Sequence, residues 1–179
     1  MDASELSPGR YIGKEKNTIK SKDATDKPYV YKPLAKKDKY LLVDGYNIIF
    51  AWPKLAEIAK DNLHGARDML IDICSNYQAS KGMTLILVYD AYKVKDNGGS
   101  KTQYNNIYVV YTKEAETADM YIEKTVHKMA KKNDIIVATS DRLEQMIIYG
   151  EGASRMSARE FIEEVERENQ DIRDRFINT

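Results

Sequence analysis

The stretch Leu41-Leu42-Val43-Asp44-Gly45-Tyr46-Asn47 decides the fold. Starting at Tyr40, an uninterrupted apolar run suits a short strand buried on both faces, the kind a parallel sheet uses. It stops at an aspartate. In an α/β fold the carboxyl ends of parallel strands open onto one crevice where ligands bind, so Asp44 is expected there. Gly45 is expected to relieve crowding and let a ligand approach the turn. Asn47 then offers an amide able to hold a water or a phosphate oxygen.

The pattern repeats along the chain of 179 residues. Thr84–Asp90 is a second buried run ending in an aspartate, and Asp134–Thr139 a third, followed by Ser140-Asp141. Asn106–Tyr111 is β-branched and apolar, and so a further strand. Between the strands, Leu63, Ala66, Leu70, Ile73 and Tyr77 recur at helical steps and predict a helix over 62–80, stopped near Gly82. Ala118, Ile122, Val126 and Met129 predict another over 117–132, and residues 141–149 a short one. A last helix is expected from about Ser157, with Phe161, Val165, Ile172 and Phe176 on one stripe. Residues 93–103 are polar, contain Asn97-Gly98-Gly99-Ser100 and read as a loop. Alternation of strand and helix calls for an α/β fold: a mainly parallel central sheet flanked by helices.

Residues 1–39 are different. They hold nine Lys and one Arg against six Asp or Glu, with scattered Pro and Gly and no sustained period. They read as a basic linker or arm, expected to come from a longer fusion, and residues 40–179 as the globular domain. The domain is therefore acidic, although the whole chain is formally neutral. One cysteine, Cys74, excludes an internal disulfide and a cysteine-based zinc site, and its helical pattern places it in the core. His64 and His127 have no partner at metal-ligand spacing and read as helix-surface residues. No run approaches the ~18 apolar residues of a membrane span, and the start lacks a signal-peptide core. The expectation is a cytoplasmic protein with no membrane partner.

Four acidic segments thus fall where strands run out or a helix begins: Asp44, Asp90, Glu116-Thr117-Ala118-Asp119 with Glu123, and Asp141. Each has an ordinary reading. Asp-Gly is a common turn, Thr117 a natural N-cap, and Asp141 with Glu144 would make a capping box. Asp119 near a helix N-terminus complements the helix dipole. Their joint placement at one crevice is harder to explain so, because gathered carboxylates repel unless a cation sits between them. Hard divalent ions are the usual answer, which points to metal-assisted phosphodiester chemistry. There is no phosphate-loop motif and no Gly-x-Ser-x-Gly. A receiver-like phosphoacceptor domain needs an acidic pair after the first strand, where Gly-Tyr-Asn stands instead.

Asp44-Gly45-Tyr46-Asn47, Ala51-Trp52-Pro53, Tyr89-Asp90-Ala91, Glu116-Thr117-Ala118-Asp119 with Ile122-Glu123, Thr139-Ser140-Asp141 with Glu144-Gln145, and Ser157-Ala158-Arg159-Glu160 together resemble the NYN branch of PIN-like nucleases, and more closely the YacP family. The resemblance spans about residues 40–170 and leaves the arm uncovered. It implies a three-layer PIN-like/NYN domain acting as a metal-dependent endoribonuclease, with a branch that cuts messenger RNA on the translating ribosome. Carried over by motif, the catalytic candidates are Asp44, Asp90, Asp119, Asp141 and Asn47. Asp44, Asp119 and Asp141 are the expected ligands of Mg²⁺ or Mn²⁺, with Glu116 and Glu123 as weaker candidates. RNA contacts are expected from Arg142, Lys93, Lys95, Lys101, Lys113, Arg155 and Arg159, and base stacking from Tyr46, Trp52 and Tyr92. The expected partners are mRNA and the ribosome, with no DNA. The rival is a non-catalytic RNA- or ribosome-binding module.

Overall fold

The computed structural model describes residues 36–90, 99–141 and 152–177. The arm up to residue 35, Tyr92, Lys93, Lys95, Arg142, Glu144, Gln145 and, apart from Asp141, the helix expected over 141–149 lie outside the described residues. Strand β1 (Lys39–Asp44) leads into α1 (Gly45–Ala51), α2 (Pro53–Asp61) and α3 (Leu63–Lys81). Then come β2 (Thr84–Tyr89), β3 (Ser100–Tyr104), β4 (Ile107–Tyr111), α4 (Ala118–Met129), β5 (Asp134–Thr139), β6 (Ser154–Ser157) and α5 (Ala158–Ile177).

The six strands form one sheet in the order β3-β4-β2-β1-β5-β6. All pairings are parallel except β3 with β4. Strand β1 lies at the centre, with β2 on one side and β5 on the other, so the crevice opens at its carboxyl end. Register sets the level of the acidic residues: Asp44 is opposite Val88, two residues before Asp90, and Val43 is opposite Ala138, three before Asp141.

Alternate residues of each central strand feed two cores. Leu41, Val43, Leu85 and Leu87 pack with α1, α2, α3 and α5, while Leu42, Ile86 and Val88 pack with Ala118, Ile122 and Val126 of α4. The sheet is thereby covered on both faces, which explains the continuous apolar runs. Gly82 closes α3 in the left-handed region at φ 67°, as expected of a C-terminal glycine. A reciprocal capping box starts α5: Ser157 Oγ accepts the Glu160 N–H at 3.1 Å, and Glu160 accepts the Ser157 N–H at 2.7 Å.

The structure corrects several expectations. Part of the polar loop is strand β3, whose Ser-Lys-Thr-Gln-Tyr sequence is exposed because an edge strand borrows its order from β4. Ile48, Trp52, Leu55, Ile58 and Ala59 fall at helical steps that the sequence reading missed, and residues 48–61 form the rest of α1 and α2, separated at Trp52 and restarted by Pro53 at the first helical position. The short polar β6 is invisible to periodicity. The apolar stripe of α5 ends early: Phe161 and Val165 are buried, but Phe176 is 81% exposed. Cys74 is core, as expected. Among the described residues no helix is long and apolar enough to cross a membrane.

Candidate active site

Asp44 ends β1 and caps α1 at once. Its carboxylate accepts the backbone N–H of Asn47 at 3.2 Å and the side-chain amide of Asn47 at 2.7 Å. Asn47 Oδ1 accepts a hydrogen bond from the hydroxyl of Ser140, just past β5. Asp90, just past β2, accepts the N–H of Ala118 at 2.5 Å and so holds the start of α4. Thr117 caps α4 by accepting the Met120 N–H at 3.2 Å. Asp119 sits on the first turn that follows. The N–H of Asp141 donates to buried Thr139 Oγ1 at 3.1 Å, which fixes the turn beyond β5. The carboxylates of Asp44 and Asp90 therefore have a capping or anchoring role as well as a place at the crevice.

Asp44, Asn47, Asp90 and Asp119 line one cavity of about 510 Å³, together with Tyr46, Phe50, Thr117 and Ser140. Asp141 is outside that lining, but its charge reaches Asp119. Asp44 is 2% exposed. Burial pushes its carboxyl up to about 6, the negative charges of Asp119 and Asp90 add to this, and the two Asn47 hydrogen bonds oppose it. Asp119 is also raised, by desolvation first and by Asp141 and Asp90 next, with a hydrogen bond to Asp44 working the other way. These carboxylates thus face one another with unfavourable electrostatics.

Relief of that repulsion is what a cation would provide, and carboxylate oxygens are the hard donors that Mg²⁺ or Mn²⁺ takes. The donor set fits such an ion chemically. Among the described residues, however, no three of these side chains stand as a ready-made ligand group. A divalent ion that retains several waters is the form this wider arrangement suits.

The expected RNA-contacting cations are dispersed. Lys101 and Lys113 share a separate cavity of about 170 Å³ with Glu116, at the β3–β4 edge. Lys101 Nζ lies 4.7 Å over the Tyr108 ring. Arg155 borders another cavity with Glu160 and Glu164. Arg159, paired with Glu163 at 2.7 Å, lines a cavity of about 770 Å³ that adjoins the carboxylates through Ala51 and Ser140. None of these four lines the carboxylate cavity. Glu116 is drawn to Lys124 at 3.8 Å instead, and Glu123 is exposed on α4.

Three aromatic and glycine expectations change. Tyr46 is 4% exposed, too buried to offer a ring face to a base, and Trp52 at 6% is core that borders the larger cavity. A Cβ on Gly45 would run into the Tyr89 ring, so this glycine makes room for a core tyrosine rather than for a ligand. The sequence reading missed Ser140 and Phe50 as cavity residues. Phe50 was legible only once α1 is known to be helical, since it lies three residues after Asn47 and so on the same face.

Fold and crevice define a PIN-like α/β domain with an acidic site at the carboxyl ends of its parallel strands. Matching the YacP-like NYN domain family model over residues 41–179, the chain belongs to that family. It is 48% identical over 128 residues to the "Uncharacterized protein YacP" of Bacillus subtilis (strain 168), covering 70% of this chain and 74% of that one. The crystal structure of Rae1 (YacP) from Bacillus subtilis superposes with a TM-score of 0.67 at 43% identity, over 78% of this chain and 80% of that chain. A crystal structure of a tryptophan-to-leucine mutant of the same Bacillus protein gives 0.67 at 41%, over 76% and 80%. Family membership is consistent with a nuclease.

Proposed function

We propose that this protein is a divalent-metal-dependent endoribonuclease that hydrolyses RNA phosphodiesters, with mRNA on the translating ribosome as its substrate. The observation that carries the reading is buried Asp44, raised to about 6 at the centre of a crevice it shares with Asp90 and Asp119. A buried carboxylate surrounded by like charges is an unfavourable arrangement that functional sites retain for use. Family membership supplies the reaction class.

Asp44, Asp119 and Asp141 would hold Mg²⁺ or Mn²⁺. When bound, such an ion supplies a nucleophile near neutral pH and steadies charge on the leaving 3′ oxygen. Asn47 fixes the Asp44 carboxylate through its amide and is itself held by Ser140. Asp90 anchors the first turn of α4 and with it Asp119. Products with 5′-phosphate and 3′-hydroxyl ends are expected. The described cations of the expected RNA-contacting set do not line the crevice, so affinity for free RNA is expected to be weak. A large partner would then position substrate by effective concentration, and the ribosome is the candidate.

Cleavage-end mapping on translating ribosomes, comparing wild type with Asp119→Asn, tests the reading. Cuts that need added Mg²⁺ or Mn²⁺ and vanish in Asp119→Asn support it. The rival reading is a non-catalytic module that binds RNA or the ribosome. Ribosome association without metal-dependent cutting would establish that alternative.

A further inference from the structure

We infer that the cavity of about 770 Å³ between the α1–α2 junction and the start of α5 is a subsite for one unpaired nucleotide of the RNA strand, next to the cleaved phosphodiester. The inference rests on the nuclease reading above and adds a substrate contact to it.

The two cavities adjoin. Ala51, the last residue of α1, and Ser140, just past β5, line both. A strand whose phosphate sits among the carboxylates can therefore place a neighbouring nucleotide in the larger cavity. Charge changes along that path. The carboxylate cavity is lined by Asp44, Asp90 and Asp119, with no cation among its described lining residues. The larger cavity sets Lys54 and Arg159 against Glu163 and Glu166. Lys54, on the first turn of α2, pairs with no acid among the described residues. Arg159 pairs with Glu163 on the surface, a contact weak enough to exchange for a phosphate. A polyanion leaving the acidic site thus meets positive side chains here.

Trp52 provides a second, independent observation. It is 6% exposed and borders the cavity, yet its indole N–H finds no acceptor among the described residues. Its backbone is fixed, donating to Ile48 at 2.9 Å and accepting from Ala56 at 2.8 Å. A buried indole N–H normally has a partner, and one left without it costs stability. A base carbonyl, a ring nitrogen or a 2′-hydroxyl is such a partner. Pro53 and Ile162 complete an apolar wall that suits a base or a sugar. Sites for small organic ligands run to roughly 300–1,000 Å³, so one nucleotide fits. A base inside a duplex is stacked and paired and cannot enter such a cavity, hence the unpaired strand.

Trp52 is the one tryptophan of the chain, so its fluorescence reads the cavity directly. The full chain carrying Asp119→Asn, expected to bind without cutting, is titrated at low salt with a single-stranded oligoribonucleotide up to millimolar strand. A saturating change in Trp52 emission is expected. Lys54→Ala together with Arg159→Ala should weaken binding about tenfold, the scale of a lost charge-assisted hydrogen bond. The slope of log affinity against log salt should flatten by about 1.4 for two lost phosphate contacts. Lys54→Arg should keep wild-type affinity, which separates loss of charge from damage to the fold. In the active chain the double alanine variant should raise KM with kcat little changed. Trp52 emission that stays constant throughout the titration, or an affinity and salt slope unchanged in the double variant, would overturn the inference while Asp44-dependent cleavage keeps the nuclease reading. If the wild-type chain shows no Asp44-dependent cleavage, that reading fails and the inference falls with it.

Discussion

The side-chain amide of Asn47 donates to Asp44 at 2.7 Å while its carbonyl oxygen accepts from Ser140, so one residue ties the end of β1 to the end of β5. Its backbone N–H also caps on Asp44. These bonds favour the ionised form of Asp44 against burial. Asn47→Ala should therefore raise the Asp44 pKa above about 6. It should also lower stability by about 1 kcal/mol, the usual net value of a lost hydrogen bond. The check is the pH profile of metal-dependent cleavage, whose acid limb should move upward, together with a denaturant titration. An unmoved limb would show that the amide does not govern the carboxylate.

Asp44→Asn separates stability from activity. Folded Asp44 titrates at about 6 against an ordinary 3.8. Between those values the native state binds the proton more tightly, so stability is greatest below about 3.8 and falls as pH rises through about 6. Above that, the ionised group imposes a constant penalty of at most about 3 kcal/mol by linkage. Without metal at pH 8, Asp44→Asn should be more stable than wild type, and the gap should close on acidification. Added Mn²⁺ should stabilise wild type and leave the variant unchanged. Thermal melts at several pH values, with and without Mn²⁺, decide this. A variant less stable than wild type at pH 8 would contradict the electrostatic account. In cleavage the same variant should lose several orders of magnitude in rate.

Gly45 was legible as a special position but not for the right reason. Sequence shows that a glycine follows the strand, and a ligand or a neighbouring side chain explains it equally well. The structure shows the Tyr89 ring occupying the space where a Cβ would be. Gly45→Ala should displace Tyr89 or tilt α1, costing about 1–3 kcal/mol as overpacking does. Since Tyr46 and Asn47 follow at once, activity should fall as well. The double variant Gly45→Ala, Tyr89→Leu should recover part of the stability, measured by chemical denaturation. No recovery would mean that the close approach is not the cause.

The buried strands were readable because a parallel strand covered on both faces carries an unbroken apolar run, as Leu41–Val43 and Leu85–Val88 do. The convergence of Asp44, Asp90 and Asp119 followed from topology alone, since each lies where a strand ends or the next helix starts. Three kinds of feature were hidden. Strands β3 and β6 take their order from hydrogen bonds to a neighbour and show no apolar period. α1 has only seven residues, too few for a helical period to stand out. The separation of Lys101 and Lys113 from the crevice depends on the packing of an edge hairpin, which residue type does not encode.

Phe161 and Phe176 look equivalent in sequence, fifteen positions apart on the stripe of α5, yet the structure treats them oppositely. Phe161 is fully buried and meets Tyr77 of α3 edge-on at 5.6 Å, close to where Lys81 pairs with Glu164 at 3.1 Å. Phe176 is 81% exposed near the far end of the helix. Phe161→Ala should cost about 3–5 kcal/mol, because it removes a large buried ring and leaves a cavity between α3, α5 and the sheet. Phe176→Ser should change stability by less than about 0.5 kcal/mol. Urea unfolding of the two variants, followed by circular dichroism, measures both. Comparable losses would mean that the C-terminal part of α5 is packed in solution against something that buries Phe176, whereas a large loss confined to Phe161 places the limit of the core between Val165 and Phe176.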